Sequence, residues 1–193
     1  MPHRRQADQA RAQILESALV AFTAHGYDAT TVDQIGAPLG LTRQAVLYHF
    51  GSKDQVLEAL VAPPLEAVRA LVETWEAHGV RTADDRRDLV SAMVDTLAPH
   101  RRVAAMMGRF TNEARAVQVA SALVDLNRRM VRLLGGGEPS ADPVRLVRVT
   151  ATMGAIQGVM GSRLEVPLDD PAARQALVDG CCALLEGGRT PSA

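Results

Sequence analysis

The sequence is short of several residue types, and each shortage narrows what the chain can be. Aromatic residues make up 3% of its 193 positions, so a core has to be assembled from alanine, valine, leucine and methionine. Such side chains suit helix-on-helix packing better than a sheet, which favours β-branched and aromatic residues. Cysteine occurs twice, at the neighbouring positions Cys181 and Cys182. Neighbours on a helix point about 100° apart, which is poor disulfide geometry, so the pair reads as small apolar side chains. The longest uncharged run, Val149 to Ser162, contains Thr150, Thr152 and Gln157 and is too short to cross a bilayer. Met1 to Arg11 is polar and basic with no apolar stretch behind it, so no secretory signal is visible. The expectation is a cytoplasmic protein without a membrane partner.

Recognisable catalytic patterns are also missing. The histidines His3, His25, His49, His78 and His100 are dispersed, without metal-ligand spacing between any pair. Gly135-Gly136-Gly137 runs into Glu138-Pro139 rather than opening a helix after a strand, so it is no phosphate loop. No nucleophile elbow occurs. No catalytic residue, metal site or cofactor is expected.

What remains is an ordinary globular composition, 47% hydrophobic and 22% charged with a net charge of −1. The first 62 residues carry five Lys+Arg against six Asp+Glu. That balance is unfavourable for phosphate neutralisation, so placement of the cations matters more than their number. Lys53 is the only lysine, and arginine supplies every other cation. Arg4, Arg5 and Arg11 are expected in or beside a flexible N-terminal arm.

Apolar residues recur at helical spacing almost throughout, and strand-like alternation is nowhere sustained. The chain is therefore expected to be all-α. A first helix is predicted from about Asp8 to His25, with Ile14, Leu15, Ala18, Leu19 and Phe22 on one face and Gly26 as its stop. Thr31-Val32-Asp33-Gln34 is a capping-box pattern opening a second helix that ends at Gly40. A third begins at Thr42 and runs through Tyr48-His49. Ser52-Lys53-Asp54-Gln55 opens a fourth in the same way. Pro63-Pro64 should break or kink it at Ala62, because proline removes a donor and disfavours helical geometry before it. Helices are then predicted over Leu65 to His78, Asp84 to Leu97, Arg102 to about Leu134, Pro143 to Leu164 and Pro171 to Glu186.

Residues 31 to 50 have the form of a helix-turn-helix. Gly40 permits the positive backbone angle of a sharp turn. Val32, Ile35, Leu39, Leu41 and Val46 can pack the two helices together and onto Phe22. Arg43, Gln44, Ala45, Tyr48 and His49 are then left on outward or edge positions. Arginine pairs bidentately with guanine, glutamine with adenine, and a small alanine touches a thymine methyl. Tyr48, His49 and Lys53 can reach phosphates, and Thr31 and Thr42 stand at helix starts.

The run Thr30-Thr31-Val32-x-x-Ile35, then Gly40-Leu41-Thr42-Arg43-x-Ala45-Val46-Leu47-Tyr48-His49-Phe50-Gly51-Ser52-Lys53, resembles the N-terminal domain of the TetR family of repressors. So does the preceding Ile14-Leu15-x-x-Ala18-x-x-x-Phe22-x-x-x-Gly26-Tyr27. The likeness is specific over residues 11 to 60; beyond them it is only a matching plan. It implies a three-helix head (residues 1–53) that binds DNA and a helical body (54–193) for ligand sensing and dimerisation. A homodimer would set two recognition helices into successive major grooves of a palindromic operator. By similarity, Arg43, Gln44, Ala45 and Tyr48 align with base-reading positions, and Thr31, His49 and Lys53 with phosphate-contacting ones. The family usually has tyrosine where Leu47 stands. Pro38, beyond the first turn of the second helix, removes the bond to the Gln34 carbonyl and should distort that helix locally.

For the body, the resemblance implies that the last two helices pair with their symmetry mates. Gly154, Gly158 and Gly161 form a small-residue stripe suited to such an interface, with Leu177, Cys181, Leu184 and Leu185 as the apolar face of the final helix. A small apolar effector would be lined by Trp75, Met93, Met106, Met107, Phe110, Met153, Gln157 and Met160, methionine being adaptable to bulky ligands. Arg109 and Asn112 could add polar contacts. The alternative is a helix-turn-helix regulator without a small-molecule ligand, controlled by a protein partner.

Overall fold

The computed structural model describes residues 2–107, 116–136, 142–162 and 166–187. Among them every regular element is helical: α1 (Pro2–His25), α2 (Val32–Gly36), a 3-10 turn (Ala37–Leu39), α3 (Arg43–Phe50), α4 (Lys53–His78), α5 (Ala83–Leu97), a second 3-10 turn (Ala98–His100), α6 (Arg101–Met107), α7 (Ala116–Gly135), α8 (Pro143–Met160) and α9 (Pro171–Glu186). The chain divides into two compact units. One comprises Met1–Pro63 with Ala105–Val119, the other Pro64–Ala104 with Ala120–Ala193.

In the first unit, Ile14, Ala18, Leu19 and Phe22 of α1 are buried with Val32 and Ile35 of α2 and Val46 and Phe50 of α3. The Phe22 ring packs on Tyr27 with centroids 5.4 Å apart. Ser17 Oγ donates to the Ile35 carbonyl at 2.7 Å, tying α1 to α2. The helix starts are fixed by local chemistry. Thr31 and Gln34 form a reciprocal capping box, Thr42 Oγ1 accepts from the Ala45 N–H, and Ser52 Oγ from that of Gln55. Pro38 acts as expected: α2 tightens into a 3-10 turn where the proline removes a donor. Gly40 follows at φ +66°. The Leu41 N–H then bonds the Gly36 carbonyl (3.0 Å) and the Gly40 N–H that of Ala37 (3.1 Å), the paired closure of a Schellman motif.

Two expectations about helix ends are corrected. The arginines at positions 4 and 5 do not precede the first helix, because α1 begins at Pro2. Proline is tolerated in a first turn, and Gln6 to Gln13 is rich in good helix formers. Of the break or kink expected at Ala62, a break is absent: α4 continues through Pro63 and Pro64. Proline's fixed φ is compatible with a helix, and its cost, roughly 3 kcal/mol or more at each site, is opposed by burial on both flanks. Val56, Leu57, Leu60 and Val61 are buried before the prolines and Val72 after them, at roughly 1.5–3 kcal/mol per apolar side chain.

In the second unit, Leu89, Val90, Met93 and Val94 of α5 form one core with Leu126, Met130 and Leu134 of α7, Val149, Ile156 and Met160 of α8, and Val178 and Cys181 of α9. Arginines fasten its rim. Arg174 holds Asp95 with both arms and donates to Ser91 at 2.6 Å, and Arg87 pairs with Asp179, so α9 is clamped to α5 twice. Arg129 grips Glu76 bidentately at 2.9 and 2.6 Å. Arg145 donates to the Gly135 carbonyl at 2.7 Å, closing the C-terminus of α7 where the helix dipole favours a cation. The predicted helix over 102–134 corresponds to α6 and α7, with 108–115 outside the described residues.

Candidate nucleic-acid interface

Helix α3 turns one face inward and leaves the other to solvent. Val46 and Phe50 are buried, whereas Thr42, Arg43, Gln44 and Tyr48 are exposed, Tyr48 to 86%. An aromatic ring that open costs hydration free energy unless a partner covers it. Tyr48 meets His49 edge-on at 5.5 Å between ring centroids. Ala45 and His49 are half-buried at the margins.

Several side chains hold this helix in place. Arg11 donates to the His49 carbonyl and lies over the Phe50 ring, 4.1 Å from its centroid. A cation thus satisfies an end carbonyl of α3 and favours its negative pole. At the other end Arg43 Nη1 lies 3.6 Å from Asp33 Oδ2 in the first turn of α2. Between the helices Gly36 is buried, and a β-carbon there would sit 2.5 Å from the Leu41 carbonyl oxygen and 3.1 Å from Val46 Cγ2. Reasoning from sequence missed all three roles. The signal for Gly36 was a glycine inside a helical pattern, which marks a close approach; Asp33 and Arg11 gave none.

Lys53 is placed differently from the other predicted contacts. Its ammonium donates to the carbonyls of Tyr27 (2.8 Å), Thr30 (2.8 Å) and Asp28 (3.4 Å) and stands 4.2 Å from the centre of the Tyr27 ring. Thr31 is exposed, its hydroxyl engaged in capping.

Residues 14–60 match the family described as bacterial regulatory proteins, tetR family. The likeness to that family is carried by this helix-turn-helix segment. It is 37% identical over 86 residues to the transcriptional regulator SrpR of Pseudomonas putida, a match covering 41% of this chain and 40% of that regulator. The chain thus spans less than half of that relative's length. Among solved structures, AmtR of Mycobacterium smegmatis shares the fold with a TM-score of 0.73 at 21% identity, over 91% of this chain and 86% of that one. The triclosan complex of SmeT gives a TM-score of 0.60 at 26% identity, over 90% and 89%.

The body residues singled out from sequence separate into groups. Met93 and Met160 are buried in the core of the second unit, with Trp75 and Met153 packed against it. Met106 and Met107 belong to the first unit, Met106 fully buried. Gln157 is a correction: it is exposed and does not face that core. Phe110, Arg109 and Asn112 lie outside the described residues. On α8, Gly154 and Gly158 are exposed, with nothing within 4 Å of an added β-carbon. Val144 and Val147 on the same helix are 59% and 68% exposed. Gly161 is the C-cap of α8 rather than part of its stripe. On α9, Leu184 is 41% exposed and Leu177 half-buried. Cys181 is another correction: it is 1% exposed, within its own unit's core. Burial raises its thiol pKa to about 11, which keeps it inert. No described helix is long and apolar enough to cross a membrane.

Proposed function

We infer that this protein is a cytoplasmic, ligand-responsive repressor that binds a palindromic DNA operator as a homodimer. The observation that carries the reading is the exposed face of α3, where Arg43, Gln44 and Tyr48 stand clear of the core on a helix fixed at both ends. Arg43, Gln44, Ala45 and Tyr48 read base edges in the major groove, while Thr31, Thr42 and His49 lie along the phosphates. The functional head is residues 1–53 and the body 54–193.

Dimerisation uses the open stripe of α8, Gly154 and Gly158 continued by Val147, together with Leu184 of α9. Small residues allow close helix approach, and exposed valines gain from being covered. The effector is a small apolar molecule held among Trp75, Met93, Met153 and Met160, a reading supported by the SmeT relative's complex with triclosan. It acts by differential affinity for two states of the dimer, only one of which spaces the recognition helices at about 34–36 Å. Pro63 and Pro64 stiffen the helix that carries this change.

The test titrates a fluorescent duplex carrying the selected operator, with and without a panel of apolar compounds. Release of the duplex by at least one compound that also raises the melting temperature supports the sensor. Tight duplex binding that no compound alters, with no shift in melting, contradicts it.

A further inference from the structure

We propose that Lys53 is a positioning residue for DNA recognition and not a phosphate ligand. An ammonium has three N–H donors, and at Lys53 three carbonyls receive them: Tyr27, Asp28 and Thr30. The face of the Tyr27 ring closes a fourth side. The cage itself is anchored. Tyr27 and Thr30 are 3% and 1% exposed, the Tyr27 hydroxyl donates to Asp54, and Thr30 Oγ1 donates to the Gly26 carbonyl at 2.6 Å. Residues 26–31 are the connector between α1 and α2, so one side chain at the start of α4 staples the segment that aims α2.

The consequence reaches α3 through contacts already described. α2 carries Asp33, which faces Arg43, and Gly36, which packs against Leu41 and Val46. An error in the connector therefore turns the base-reading face, whereas a lost phosphate contact would weaken every sequence alike. The geometry also separates Lys53 from arginine. A planar guanidinium keeps the charge but cannot direct three donors into a compact carbonyl cage.

The inference rests on the DNA-binding reading, and its test keeps the two apart. Wild type, Lys53→Gln and Lys53→Arg are compared at a temperature where circular dichroism finds all three fully helical. Affinity for the selected operator and for random duplex is measured across salt concentrations, and amide exchange of residues 26–35 is followed without DNA. The expected result has three parts. The slope of log affinity against log salt stays at the wild-type value, the operator-to-random ratio falls about tenfold or more, and Lys53→Arg restores neither that ratio nor the exchange protection of the connector. A slope reduced by about 0.9 with equal loss on both duplexes and rescue by arginine overturns the proposal, as does an unchanged ratio or unchanged protection. If wild type binds no duplex, the DNA-binding reading falls instead, and the exchange data still decide whether the staple exists.

Discussion

Asp33 and Arg43 face each other across the helix-turn-helix, 3.6 Å apart, with side chains 66% and 61% exposed. The pair places a negative charge beside the guanidinium proposed to read a base. Exposed ion pairs contribute little to stability, about 0.2–1 kcal/mol, so its importance lies in restraint. A guanidinium held on one side presents its remaining donors in fewer directions, which favours one bidentate partner over many.

Asp33→Ala is therefore expected to leave the melting temperature nearly unchanged while loosening recognition. Affinity for random duplex should rise, up to roughly fivefold from the freed charge, and base preference at the Arg43 contact should broaden. Parallel binding measurements on the operator and on single-base variants check this. Weaker binding to every duplex would contradict it.

Gly36→Ala tests the packing under the recognition helix. The added methyl meets a backbone carbonyl at 2.5 Å, and backbone cannot rotate away as a side chain can. Alanine's better helix propensity, about 1 kcal/mol, opposes an overpacking cost of about 1–3 kcal/mol. A net loss of stability in denaturant titration is expected, together with reduced operator affinity. Gly40→Ala, at a position with open space but φ +66°, should cost stability through backbone strain instead.

Gly154→Glu examines the proposed dimer face. The site is open within one protomer, so secondary structure should persist. A carboxylate facing its symmetry mate would repel, and sedimentation should find monomers. Cooperative operator binding should fail with it. An unchanged dimer would move the interface elsewhere.

Asp85 supplies a pH signature. Its carboxylate accepts from the backbone N–H groups of Arg81 and Thr82, both at 2.8 Å, and these bonds hold its pKa down at about 2 against an ordinary 3.8. A depressed folded pKa stabilises the native state above the unfolded value, and that stabilisation disappears as pH falls through the folded one. The melting-temperature gap between wild type and Asp85→Asn should be full above about pH 4 and close progressively toward pH 2. A gap that is constant across this range would rule out ionisation of Asp85 as its source.

Most of the fold was legible because its signals are local. Thr31-x-x-Gln34 and Thr42 cap the helices that their sequence announces, Gly40 makes the expected turn, and Pro171 and Glu186 bound the last helix as read. Pro63-Pro64 does not break α4 because its local cost is opposed by residues buried on both flanks, which no short window contains. The α8 faces were hard to assign for another reason. Val144 and Val147 lie outside while Val149 and Ile156 lie inside, so an apolar period cannot choose between them, and Gln157 was assigned to the wrong side. The carbonyl partners of Lys53 could not be read locally, because they lie 23 to 26 positions earlier.

The central claim is that α3 reads DNA as one of a twofold pair. Selection of bound sequences from random duplex DNA tests it most directly, with Gln44→Ala run alongside wild type. Wild type should enrich an inverted repeat whose half-sites lie one helical turn apart, about 10 base pairs, and Gln44→Ala should lose preference at one position in each half. Enrichment of nothing at low salt, or of a single unrepeated site that the variant reads equally well, would contradict the account.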